Sequence, residues 1–407
     1  MIANLLALAA FLLAALILLR PTLRESDEWR ATVTPLASIV GSGFLVSLPL
    51  LANHTGAWAL AAMMFLVGAS WLLGGTIRFN IVHGEPLFDT DGRYGLVTSL
   101  ERFSHLALAF AYFVSVTYYL SLLSAFLLKA FAVTGHGEAK VLTTAMLCFI
   151  GVYGFARGLR GLETVEEYAV GLKLAVIAAV LAALAWFNLD LFVRGQWAVR
   201  AAAPDINWDT ARLVLGMLIV VQGFETSRFL KDAYPAELRV ATMRRAQLIS
   251  AAIYALFFAL ATVLFDGGHA RGDIAAVTDI VARAAVVLPL MLIAGAVFSQ
   301  LSAAVADAIG AAGLIVQFGP GLIDRRHAYP FIAAIGVLLV WETNIFGIIA
   351  IASRAFALFY FLQCLVAALV ALNAPEVTNR SARVAAFLAL AVLALAVVAF
   401  GIPAEVE

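Results

Sequence analysis

Two stretches of this sequence place chemistry inside otherwise apolar helices. The first is Val40-Gly41-Ser42-Gly43-Phe44-Leu45-Val46-Ser47-Leu48-Pro49, and the second is Val221-Gln222-Gly223-Phe224-Glu225-Thr226-Ser227. Aligned at Gly43-Phe44 and Gly223-Phe224, the two also share Ser47 and Ser227. Glycine costs about 1 kcal/mol against alanine in a helix interior, so Gly-Ser-Gly predicts an unwound turn. In hydrocarbon the freed N–H and C=O groups find no water, and such a turn persists only where it lines a cavity or holds a ligand. The alternative is a close helix-packing face of small residues. Interrupted apolar segments at matching places in two halves of a chain favour a binding site at the interruptions.

The ionisable residues within apolar spans are the other candidates. Glu225 adjoins the second break. An intramembrane carboxylate costs at least about 2.5 kcal/mol, so it should face the protein interior or a cavity; it could also reach water or pair with Arg228. Lys173 lies seven residues past Glu166 and Glu167, roughly 10 Å of depth at 1.5 Å per residue. It can snorkel to the surface, or be desolvated enough to switch its proton. Asp307 falls at a similar depth in another span. A Lys173–Asp307 pair gating one half of the molecule is one expectation, and a contact of Asp307 with the Ser302 hydroxyl or backbone is the other. Arg354 lies about eight residues into its span, where it should line a water-filled vestibule or bridge to another helix. His105, Tyr112, Tyr118, Tyr119, Gln222, Gln300 and Ser302 are polar residues that could line a cavity or hydrogen-bond across a bundle.

The elements that carry these residues follow from composition. The chain has 407 residues, 64% hydrophobic and 13% charged, with a mean hydropathy of +0.99. This predicts an all-α polytopic membrane protein. With about 20 apolar residues per span, about twelve spans are expected, near 2–19, 33–52, 57–79, 100–131, 139–157, 164–187, 209–230, 245–265, 284–316, 328–342, 346–372 and 383–401. The first twenty residues lack a basic leader region and read as a retained helix. Of the 26 Lys and Arg, seventeen fall in loops on one side and seven on the other, while Lys173 and Arg354 lie within spans. That bias makes the first side cytoplasmic, and the two broken helices then run antiparallel. The expected organisation is an extra helix and linker (1–32), a first repeat (33–187), an outer loop (188–207), a second repeat (208–373) and a last helix (374–407). The 78–102 loop, with His83-Gly84-Glu85-Pro86 and Asp89-Thr90-Asp91-Gly92, reads either as an ordered cytoplasmic turn or short interfacial helix whose acidic residues could form a pH-sensitive gate, or as a solvated loop.

The Gly41-Ser42-Gly43 break, the Gly223-Phe224-Glu225 break with Pro235 and Arg244-Arg245 after it, and Lys173 within Tyr168-Ala169-Val170-Gly171-Leu172-Lys173 together resemble the amino acid–polyamine–organocation superfamily. The resemblance covers roughly 33–401. It implies the five-plus-five inverted repeat of the LeuT fold, with broken first and sixth core helices, and alternating-access transport of a small solute, often an amino acid. It also implies that the backbone of Ser42, Gly43 and Phe44 takes a carboxylate, and that carbonyls around Ile39 and Val221 take an amine. Phe224 would be a lid over bound substrate, the alternative being packing in the core or against lipid, and the Lys173 ammonium would stand where sodium sits in sodium-driven relatives. The 2–19 helix departs from the pattern, since a typical member starts with the broken helix.

The function expected is therefore secondary active transport of an amino acid or related solute, proton-coupled or exchanging and sodium-independent. A metal or potassium transporter of the same fold is the nearest rival. Metal transporters of this fold usually carry a carboxylate and an Asn in the first break, where this chain has Gly-Ser-Gly. A sensor or scaffold that lost transport is a further class. No enzyme is expected, because the six histidines are scattered and no catalytic constellation is visible. No cofactor or resident metal is expected, no nucleotide-binding loop is present, and zero net charge without a basic stripe gives no nucleic-acid partner. The expected setting is an inner or plasma membrane, with the bilayer, a small solute and possible coupling protons as partners.

Overall fold

The computed structural model describes the chain except residues 89–94, 134–135, 159–162, 200–205, 232, 266–276, 319–323, 375 and 403–407. The main helices are α1 Ile2–Leu18, α2 Asp27–Ile39, α3 Ser42–Thr55, α4 Ala59–Phe79, α5 Gly95–Ala130, α6 His136–Arg157, α7 Glu163–Val193 and α8 Trp208–Gly216. They continue as α9 Ala236–Ala261, α10 Leu288–Phe318, α11 Arg325–Glu342, α12 Ile345–Asn373 and α13 Arg380–Phe400. No strand occurs among the described residues.

Among the described residues, eight helical runs are long and apolar enough to cross a bilayer. The other expected spans correspond to shorter or interrupted pieces. α1 has 17 residues. α11 carries Arg325, Arg326 and Glu342 within its 18 residues. The remaining two are the broken segments, α2 with α3, and α8 with the turns after it. One of the eight runs, Val46–Phe88, is helical throughout but turns at Gly56, which has φ +50. Both arms of that turn reach the second break: a Cβ on Gly43 in α3 would meet Val220, and Ser70 on α4 bonds Val221.

Burial separates an inner set of helices from an outer one. The apolar window of α5 is 89% buried, while that of α13 is 22% buried. α5 and α12 pack on each other and carry buried Tyr112, Tyr118, Tyr119, Tyr360 and Gln363. α1 lies along α7, where Leu19 and Leu18 close over Gly171. This gives the 2–19 segment a packing partner two residues from Lys173.

Up to residue 88 the 78–102 region is helical. α4 continues through a π-helical turn, Asn80–Gly84, into a short helix, Glu85–Phe88. Asp89 and Asp91 lie outside the described residues.

Candidate functional site

Both glycine-rich stretches break their helices. α2 stops at Ile39, Gly41 takes φ −72 and ψ −122, and α3 restarts at Ser42 with no side-chain cap. The first N–H groups of α3 therefore lack the partner a capping side chain would supply, and they form the positive end of its dipole. α8 stops at Gly216, and a 3-10 turn covers Leu218–Val221. Gln222 is then extended, Gly223 has φ +117, and a second 3-10 helix runs Phe224–Leu230. Only glycine adopts the Gly223 conformation without strain.

The breaks cross each other in direct backbone contact. A Cβ on Gly43 would lie 2.1 Å from the Val220 carbonyl oxygen, and one on Gly223 would lie 2.3 Å from the Ser38 Cβ. Ser38, before the first break, meets Gly223, while Gly43, after it, meets Val220, so the segments pass antiparallel.

Side chains from neighbouring helices hold the unwound carbonyls. Tyr254 Oη on α9 lies 3.0 Å from the Ile39 oxygen and 2.7 Å from the Val220 oxygen. Ser70 Oγ donates to the Val221 oxygen at 2.9 Å, and Ser353 Oγ on α12 accepts from Ile219 N–H at 3.1 Å. A carbonyl has two lone pairs, so Ile39 and Val221 each keep one. Tyr254→Phe would strip the shared donor from two buried carbonyls. We expect it to destabilise the protein by about 1–3 kcal/mol, read as a lower Tm.

Glu225 is fully buried and turns back on its own break. Its Oε2 accepts from Gly223 N–H at 3.0 Å and from Tyr360 Oη at 2.7 Å. The carboxylate partner of Arg228 is Glu101, at 2.6 Å, so the alternative of a Glu225–Arg228 pair gives way to a cap on Gly223. Phe224 is buried and stacks on Tyr360, with ring centroids 5.1 Å apart and planes 18° apart. Tyr112 and Tyr119 on α5 lie within electrostatic reach of both Glu225 and Asp307.

Lys173 on α7 is buried, and its Nζ donates to the Ala37 carbonyl oxygen at 2.7 Å. It therefore points inward at the first broken helix and does not snorkel. Lys173 also lines a narrow crevice with Val40, Gly41, Phe44 and Ser299. Asp307 on α10 accepts a hydrogen bond from Ser115 on α5, while Ser302 donates to the Ser299 carbonyl at 3.0 Å. Arg354 donates from Nε at 3.0 Å and Nη2 at 2.6 Å to the Gly401 carbonyl oxygen, tying α12 to the end of α13. That is the helix bridge, the second of its two expected roles.

Several buried polar atoms have no hydrogen-bond partner among the described residues: Gln222 Oε1, Glu225 Oε1, both amide atoms of Gln300, and the hydroxyls of Ser227 and Ser299. Orphaned buried polar atoms call for water or a ligand. The position of Gln300 follows from helix register. Tyr112 meets Gly310, and three residues further along α5 Ser115 meets Asp307, three residues back along α10. Continued, that antiparallel register sets Gln300 opposite Leu122, one turn from Tyr118 and Tyr119. Gln222 Nε2 is itself 3.5 Å from Tyr119 Oη. No three His, Cys, Asp or Glu side chains among the described residues converge as a metal site needs.

Sequence reasoning missed Tyr254, Ser70, Tyr360 and the Glu101–Arg228 pair. Only the last had a signal: two opposite charges within apolar segments imply partners.

A bundle built around two crossing, unwound helix segments is the architecture of a membrane transporter. Residues 21–401 match an APC superfamily transporter family. A protein of Aquifex aeolicus (strain VF5), uncharacterised in function, is 41% identical over 365 residues, covering 89% of this chain and 88% of the relative. The chain belongs to the APC superfamily of transporters. Its fold is also similar to that of a mutant manganese transporter from Eremococcus coleocola, with a TM-score of 0.57 at 13% identity over 91% of this chain and 87% of that one.

Proposed function

We propose that this protein is a secondary active transporter that moves an amino acid or related small solute by alternating access, sodium-independent and either proton-coupled or exchanging. It would work with twelve spans, five plus five of them in inverted repeats at 33–187 and 208–373, in an inner or plasma membrane with the Arg-rich side cytoplasmic. The observation that carries the reading is the crossing of the two breaks, Gly43 against Val220 and Gly223 against Ser38, with Lys173 bonded to the first broken helix beside them.

In this reading the uncapped N–H groups of Ser42, Gly43 and Phe44 take the solute carboxylate, where a helix N-terminus favours negative charge. The remaining lone pairs of Ile39 and Val221 take its amine. Phe224, backed by Tyr360, covers the solute, and Gly223 leaves room for the second break. Glu225 holds that break closed. Lys173 supplies a fixed cation that can lose its proton, and Asp307 answers it from α10 as the second coupling group. The orphaned Oε1 of Gln222 and the orphaned amide of Gln300 face the rest of the solute. Arg354 fixes the outer end of the bundle.

A metal-ion reading draws on the manganese transporter of similar fold. Against it, the first break offers Gly41, Ser42 and Gly43 and no carboxylate.

Ligand-induced stabilisation of the purified protein separates these readings, because a ligand at 100 times its Kd adds about 2.7 kcal/mol to the state that binds it. An amino acid should raise the Tm while Mn²⁺ does not; stabilisation by Mn²⁺ alone would reverse the assignment. Gln300→Leu should weaken the stabilising amino acid by about 1 kcal/mol or more, through loss of a hydrogen-bonding partner, without lowering the Tm of the free protein.

A further inference from the structure

The two helices that meet at Glu225 and Phe224 meet again one turn deeper. Tyr360 on α12 stacks on Phe224 and donates to Glu225. Three residues after Tyr360, Gln363 Oε1 accepts from Arg228, four residues after Phe224. Arg228 Nη2 pairs with Glu101 Oε1 on α5 at 2.6 Å. Gln363 Nε2 donates to Glu101 Oε2 at 2.8 Å and to Ser104 Oγ at 2.7 Å. Asn80, the first residue of the π-helical turn, donates to the Gln363 backbone oxygen at 3.0 Å and to its Oε1 at 2.8 Å. Glu101, Arg228, Gln363 and Asn80 are all buried.

A third layer backs this one. Arg239 at the start of α9 forms a two-pronged pair with Glu85, at 2.8 and 2.6 Å, and donates to the Arg228 carbonyl at 3.0 Å. His105, one turn along α5, lies 2.8 Å from Glu101. Polar side chains from α4, α5, α12 and the second broken helix thus close the core on the Arg-rich side of the bundle. Arg228 stands on the short 3-10 helix that follows Gly223, so a rotation of that helix about the glycine would carry Arg228 out of the network. A π-turn such as the one bearing Asn80 is often found at functional sites.

We propose that the Glu101–Arg228 ion pair, braced by Gln363 and Asn80, is a gate that seals the path below the solute site and separates when the solute leaves on the Arg-rich side. The proposal rests on the transporter reading. No hydrocarbon-facing role accounts for a buried charge pair that joins the second break to three helices of the interior.

A thiol placed between the two layers reads the gate directly. In a Cys148→Ala/Cys364→Ala background, Ser227→Cys sets a buried reporter one residue from Arg228. A charged, membrane-impermeant maleimide is applied to inside-out vesicles. Adding Glu101→Gln should speed labelling by at least about tenfold, the sign of a shifted open population. The exchange Glu101→Arg/Arg228→Glu should bring labelling back towards the starting rate. Unchanged labelling in Glu101→Gln, with only a lower Tm, would make the pair a packing staple and overturn the proposal. Should Glu101→Gln fail to fold, Arg228→Lys keeps the charge and loses the planar fork, and the same two outcomes decide. The readout needs no solute, so labelling that responds in a protein that transports nothing would show that the pair holds this side closed while rejecting the transporter reading.

Discussion

Gly43→Val is expected to abolish solute uptake and solute binding together. The added Cβ would sit 2.1 Å from the Val220 carbonyl oxygen and 2.7 Å from the Val220 Cα and carbonyl carbon. These are backbone atoms of the opposite break, which cannot turn aside as a side chain would. Overpacking of this kind costs about 1–3 kcal/mol in a well-packed interior, and here the strain falls on the two segments that form the proposed site. Gly68→Ala in α4 is the control. A Cβ there meets nothing within 4 Å, and alanine is favoured over glycine in a helix by about 1 kcal/mol. Uptake and Tm should be unchanged or improved in Gly68→Ala. Measured side by side, the two substitutions separate a site from a generic small-residue packing face.

Lys173→Ala should remove the response of uptake to an imposed proton gradient. The Nζ now serves the Ala37 carbonyl at 2.7 Å, beside the crevice formed by Val40, Gly41, Phe44 and Ser299. Without it the carbonyl is orphaned, at a cost of about 1–3 kcal/mol, and the fixed cation next to the first break is gone. Lys173→Arg distinguishes charge from proton exchange. Arginine keeps the positive charge but does not deprotonate in a protein. The arginine variant should retain solute binding and lose gradient-driven accumulation. If Lys173→Ala retained full gradient stimulation, coupling would have to be carried by another group.

What was legible in the sequence was what its own composition and spacing dictate. Hydropathy and length give an all-helical membrane protein, and glycine at 41, 43 and 223 gives both breaks, because backbone freedom at glycine is a local property. Lys173 was readable as an intramembrane cation, yet its snorkelling and inward readings differ only by rotation about the α7 axis. The partner it takes, the Ala37 carbonyl, is 136 residues away. The same limit hides Tyr254, an aromatic residue in an apolar span whose hydroxyl reaches carbonyls of two other segments. It also hides Gln363, which bonds a residue 283 positions earlier. Asp307 was placed at a depth similar to that of Lys173, but its contact with Ser115 depends on the antiparallel register of α5 and α10, two helices 192 residues apart at that contact. Arg354 was read as facing either a vestibule or another helix, and it faces the exposed carbonyl at the end of α13. A helix end in an apolar setting needs such a donor, and the sequence alone did not say which helix end would be near.

Uptake into proteoliposomes tests the central claim most directly. Purified protein is reconstituted in sodium-free buffer and offered a panel of labelled amino acids, with and without an inward proton gradient, and with and without unlabelled amino acids inside. The account predicts that at least one amino acid accumulates, driven by the gradient or by internal exchange, and that Gly43→Val abolishes this accumulation. Uptake that requires sodium, uptake of Mn²⁺ in place of any amino acid, or no uptake by protein shown to be folded would contradict it.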